Sequence, residues 1–104
     1  MEKAVIYTRE TNTHAKNREQ GLANQRQICR EYAEKNGFEI VGEYFDISST
    51  LRKRPAFVKM IDDIRKQKIG VILVSSVDRF TRQQIDIEIY KAQGIRVVSV
   101  KGVY

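Results

Sequence analysis

Residues 4–14 read A-V-I-Y-T-R-E-T-N-T-H, an apolar run from Ala4 to Tyr7 that ends abruptly in Arg9, with hydroxyls and amides after it. The run has the composition of a strand buried on both faces. A guanidinium at the carboxyl end of such a strand is costly to desolvate unless something anionic meets it. The nature of that anion is the question the rest of the sequence has to answer.

Working outward, strand and helix patterns alternate. Lys3 to Thr8 reads as the first strand, and Gly21 to Asn36 as a helix with Leu22, Gln25, Cys29, Tyr32 and Ala33 on one face and Gly37 as its stop. Phe38 to Phe45 reads as a second strand. Pro55 suits the first position of a helix in which Phe57, Met60, Ile61 and Ile64 form an i, i+3, i+4, i+7 stripe. Ile69 to Val74 and Ile95 to Val100 are near-continuous apolar strands. Ile85-Asp86-Ile87-Glu88-Ile89 alternates with the period of a strand, yet two parallel strands need a crossover there, so a helix is expected. The fold class that follows is α/β, a three-layer sandwich around a mostly parallel sheet of about four strands. No repeat, linker or low-complexity segment interrupts it, and residues 1–104 form a single domain.

The balance of 19 Lys and Arg against 13 Asp and Glu gives a formal net charge of +6, which favours a polyanionic partner without requiring one. The one cysteine, Cys29, excludes an internal disulfide and suits a reducing, cytoplasmic setting. Its place on an apolar helix face makes it a core thiol rather than a nucleophile. No apolar run approaches the ~20 residues of a membrane span, and no signal peptide is visible, so no membrane partner is expected.

In parallel α/β sheets, ligands sit beyond the carboxyl ends of the strands. The first strand ends in Arg9, Thr11 and Asn12. The second delivers Asp46, Ser48, Ser49, Thr50, Arg52 and Arg54, and the third Ser75, Ser76, Asp78, Arg79 and Arg82. Five arginines thus converge on one edge from distant segments. Their planar forks suit phosphate oxygens. Neither a G-x-G-x-x-G nor a Walker pattern occurs, and His14 stands alone in a polar loop, so neither metal nor cofactor is expected. A phosphate held by guanidiniums is the best physical description of the edge.

Three motifs sharpen it: Y-T-R-x-T at Tyr7 to Thr11, R-P at Arg54 and Pro55, and V-D-R-F-T-R at Val77 to Arg82. Together they resemble the signature of the serine recombinases, the resolvase and invertase family of site-specific DNA recombinases, over essentially the whole chain. The resemblance implies a resolvase-like fold, DNA as partner, and a covalent link between a serine hydroxyl and a DNA phosphate. It implies a site built from Tyr7, Arg9, Gln25, Ser48, Arg54, Asp78, Arg79 and Arg82, with Thr11 where the family has its nucleophilic serine. It further implies a homodimer or tetramer for the full-length protein. The family's long dimerisation helix and separate DNA-binding domain are expected after residue 104 and are absent from this chain.

The departures cluster at the same edge. Glu10 stands where the family has valine, Thr11 where it has serine, and Ser49 where it has glycine. The run between Asp46 and Ser48 is short, and the one between Arg82 and Gly94 lacks about one helical turn. Either the chain is a repurposed member, or residues of the encoded protein, a serine next to Arg9 among them, are missing from this sequence. Two functions follow: the catalytic domain of a recombinase, or a non-catalytic module that binds DNA or a recombinase partner and regulates it. In both, Arg9, Arg54, Asp78, Arg79 and Arg82 are expected to meet at the carboxyl edge of the sheet.

Overall fold

Val5 and Ile6, in the middle of the opening strand, are fully buried because they sit between sheet neighbours on both sides and helices on both faces. In the computed structural model, which describes residues 1–10, 15–47, 54–80 and 84–101, the elements run β1 (Glu2–Glu10), α1 (Ala15–Asn36), β2 (Phe38–Ile47), α2 (Pro55–Gln67), β3 (Val71–Val74), α3 (Val77–Phe80), α4 (Gln84–Ala92) and β4 (Arg96–Ser99). The four strands form one sheet in the order β2-β1-β3-β4, and all its pairings are parallel. Strand alternation splits the core in two. Ala4, Ile6, Val71 and Leu73 meet Cys29 and Ala33 of α1 on one face. Val5, Tyr7, Ile72 and Val74 meet Met60, Ile61 and Ile64 of α2 and Phe80 of α3 on the other. The three layers expected from the sequence are these.

Several boundaries differ from the sequence reading. Helix α1 begins six residues before Gly21, in a polar stretch that carries no hydrophobic stripe to announce it. It ends at Gly37, whose φ of 75° is the left-handed stop that glycine adopts freely. The alternating stretch around Ile87 is helical: Ile87 and Tyr90, three apart, pack on the α2 core, while Ile89 is left exposed. Short helix α3 has no sequence signature of its own.

One irregularity in β2 matters for the site. Ala4 pairs with Ile40 but Val5 pairs with Gly42, so Val41 is an extra residue on the edge strand. Such a bulge exchanges the faces of everything after it. Phe38 and Ile40 therefore pack toward α1, whereas Tyr44 packs toward α2. Asp46, two residues further, is carried to the α2 side.

Cys29 is fully buried, and burial, reinforced by Glu43, pushes its thiol up to about 12. It is a core side chain without nucleophilic character at neutral pH. A disulfide reagent should label Cys29 at least ~1000-fold more slowly in the native protein than in urea, tracking global opening. Rapid native labelling would contradict this packing. Among the described residues, no helix is long and apolar enough to cross a membrane.

Candidate active site

The strand that runs into Arg9 does so because other elements take over its polar groups. Strand β3 pairs with β1 only as far as Ile6, opposite Leu73. Beyond it, the side chain of Gln25 on α1 replaces the missing strand. The Arg9 backbone N–H donates to Gln25 Oε1 at 3.1 Å, and Gln25 Nε2 donates to the Arg9 carbonyl at 3.0 Å. Two buried backbone groups that would otherwise be orphaned are satisfied in this way. The Arg9 guanidinium turns toward α3, where its Nε donates to the Arg79 carbonyl at 3.3 Å. Arg9 is 3% exposed.

Arg54 enters from the start of α2. It is buried, and its Nη1 donates to the Phe80 carbonyl at the end of α3. Its guanidinium lies 3.9 Å from the Phe57 ring centroid and 5.3 Å from that of Tyr7. Phe57 is itself edge-on to Tyr7, Phe80 and Tyr90. Aromatic faces and a carbonyl thus hold a cation that burial would otherwise disfavour. The same burial lowers the Arg54 pKa from its ordinary value.

Asp46, placed by the β2 bulge, ties these parts together. Its Oδ2 accepts from the Tyr7 hydroxyl at 2.8 Å and from the Phe57 backbone N–H at 2.9 Å, and its Oδ1 accepts from the Ala56 N–H at 3.0 Å. It caps the N-terminus of α2 from a different strand, at a helix whose preceding residue, Arg54, makes no side-chain cap. Burial is the main reason that the Tyr7 phenol is raised above its ordinary value, with the hydrogen bond to Asp46 adding to it. Tyr7 is therefore a neutral hydrogen-bond donor rather than a base.

Arg79 is the outermost of the three arginines, its side chain 28% exposed. Its Nη1 donates to Glu10 Oε1 at 3.0 Å, and Gln25 Nε2 donates to Glu10 Oε2 at 3.2 Å. In the sequence Glu10 stands out only as a departure from a motif. The available signal was an acid placed directly after a buried arginine at a strand end. Asp46 likewise looks like one more polar residue at an edge, because a cap supplied from another strand leaves no local pattern.

Of the residues expected at the site, Tyr7, Arg9, Gln25, Arg54 and Arg79 are brought together around the end of β1. Asp78 belongs to α3, next to Arg79, but its side chain lies outside the described residues, as do Thr11, Ser48 and Arg82. Arg79, partly exposed and paired with Glu10, is the guanidinium that an incoming anion would meet first, with Arg9 and Arg54 adding positive potential from below.

Comparison with known proteins identifies the family and the fold. The family model described as Resolvase, N terminal domain, matches residues 4–104. The C-terminal catalytic domain of ISC1926 TnpA, an IS607-like serine recombinase, is similar in structure with a TM-score of 0.81 at 26% identity, over 97% of this chain and 71% of that one. The N-terminal catalytic domain of TP901-1 integrase matches with a TM-score of 0.80 at 26% identity, over 95% and 78% of the two chains. A resolvase family site-specific recombinase from Streptococcus pneumoniae gives 0.77 at 26% identity, over 97% and 73%. No curated protein sequence matches the chain. The chain belongs to the resolvase family, with the fold and function of a site-specific recombinase catalytic domain.

Proposed function

We propose that this domain cleaves and rejoins DNA phosphodiesters through a covalent protein–DNA intermediate, with Arg79 meeting the phosphate and Arg9 and Arg54 supplying the field behind it. The observation that carries the reading is the meeting of Arg9 and Arg79, 70 residues apart in sequence, at one strand end beside buried Arg54. Guanidiniums fixed in place before the reaction stabilise charge that develops on a phosphoryl group without reorganising. Tyr7 and Gln25 hold the strand end, and the resemblance adds Ser48, Asp78 and Arg82 to the set.

In the proposed step a protein hydroxyl oxygen attacks phosphorus as its proton departs. The bond from phosphorus to a deoxyribose oxygen breaks, and that oxygen leaves as a hydroxyl after taking up a proton. Reversal by another strand's hydroxyl rejoins DNA and frees the protein. Thr11 occupies the nucleophile's position in this chain. Its branched Cβ restricts χ1 and crowds an in-line approach. A serine next to Arg9 in the encoded protein would do the same chemistry with less hindrance. The working protein would be cytoplasmic and act as a homodimer or tetramer. Base readout would need an element that reaches into a groove.

A second reading, a module that binds DNA or a recombinase partner without cutting, is favoured by one observation: Arg79 is already engaged by Glu10. One experiment separates the two. The protein in its full encoded length is incubated, in chelator, with a suicide DNA substrate that cannot rejoin. A protein–DNA adduct that maps to Thr11, or to a serine beside Arg9, is the expected result. DNA or partner binding with no adduct would leave the regulatory reading standing.

A further inference from the structure

The anion seat at the end of β1 already has an occupant. Glu10 spans it with both carboxylate oxygens, one on Arg79 and one on Gln25, and its side chain is only 17% exposed. Helix α1 makes room for it. A Cβ at Gly21 would overlap Glu10 Oε2 and come within 2.8 Å of its Cδ, so any larger residue there would push the carboxylate out. Three elements, β1, α1 and α3, therefore shape a niche around this one acid. The geometry does not arise from chance proximity on a solvated surface, where long charged side chains rarely hold one position.

We infer that Glu10 is a built-in stand-in for phosphate, and that DNA must displace its carboxylate from Arg79 before the scissile phosphate can be seated. The inference rests on the reading of Arg79 as the phosphate-binding arginine. Its consequence is a site held closed by its own strand: a phosphate gains the Arg79 contact only by breaking the Glu10 ion pair. Carboxylate and phosphate compete for one guanidinium because both present paired oxygens to the same fork. The departures of this chain from its family then acquire a direction, since the acid that replaces the family's valine weakens DNA engagement at rest.

The test is the affinity of the full-length protein for a duplex DNA oligonucleotide at fixed salt, read by fluorescence anisotropy. Glu10→Gln should tighten binding by about three- to tenfold, the scale of a partly exposed ion pair. The slope of log affinity against log salt should steepen by about 0.9, one further phosphate contact. Gly21→Ala keeps the charge but evicts the carboxylate, and should tighten binding in the same direction. It also raises helix propensity, so it remains informative if Glu10→Gln folds poorly. Glu39→Gln, which removes an equal charge from an exposed position on β2, should have a smaller effect. The gain should vanish in the Glu10→Gln, Arg79→Ala double variant. Unchanged or weaker binding by both single variants, or a gain that survives the loss of Arg79, would overturn the inference. The adduct assay stays independent of this: tightening without an adduct sinks the recombinase chemistry and leaves the Glu10 contact, whereas an adduct without tightening does the reverse.

Discussion

Arg79→Ala should abolish the covalent protein–DNA adduct, slowing its formation by at least about 10²–10³-fold, while leaving the domain folded. The rate loss is that of removing one preorganised donor from a developing oxyanion. The fold should survive because the substitution spares what α3 contributes to it. The Arg79 backbone N–H still donates to the Ser76 carbonyl at 3.1 Å, and the Arg79 carbonyl still accepts from Arg9. What is lost is one partly exposed ion pair with Glu10, which costs at most about 1 kcal/mol. Adduct yield on a suicide substrate and the thermal midpoint, measured on the same preparation, check both halves. A variant that still forms adduct at the parental rate would remove Arg79 from the chemistry.

The complementary change should spare no part of the fold. Asp46→Ala removes the acceptor of the Tyr7 hydroxyl and of two N–H groups at the start of α2, and deprives buried Arg54 of a nearby negative charge. Leaving a buried hydroxyl and two N–H groups without their acceptor costs about 1–3 kcal/mol per group, several kcal/mol together. That is a large share of the ~5–15 kcal/mol that holds a domain folded. At ~4–8 °C per kcal/mol for a chain of this size, the midpoint should fall by more than 10 °C. Tyr7→Phe deletes only one of the three hydrogen bonds and leaves the cap in place, so its loss should be nearer ~1 kcal/mol. Urea titrations of the two variants give the comparison. If they were equally stable, Asp46 would not be the tie between β1, β2 and α2.

These two substitutions divide the cluster into parts with different jobs. Arg79 is outermost and can be removed with little harm to packing. Asp46, Tyr7, Arg54 and Gln25 are buried and hold the strand end, the helix start and the aromatic group in register. Their role is to keep Arg9 and Arg79 where a phosphate would find them, and any loosening there would be felt as lost rate.

Periodicity alone determined much of this protein. Runs apolar on both faces, Ala4 to Tyr7 and Val71 to Val74, belong only inside a covered parallel sheet, and the stripe from Phe57 to Ile64 belongs only on a packed helix. Helix and strand alternation then leaves few topologies, and the rule that ligands lie at strand carboxyl ends puts Arg9, Arg54 and Arg79 at one edge from the sequence alone. The period-two isoleucines show where local pattern fails. Their alternation is that of a strand, but a crossover between parallel strands must be helical, and the helix leaves Ile89 in solvent.

Only the tertiary structure decided which faces and partners the polar residues took. The extra residue Val41 turns Asp46 from the α1 side to the α2 side, and a single unpaired residue in an edge strand has no mark in the sequence. Gln25 acts as a substitute strand because β3 stops short, a fact about two other elements. Glu10 finds Arg79, 69 residues away, because β1 and α3 end at the same place and Gly21 leaves space. Hydrophobic patterning is local and repeats along the chain, so it can be read there. A hydrogen-bond partner is a matter of a few tenths of an ångström between distant segments, and it exists only once the sheet and its layers have closed.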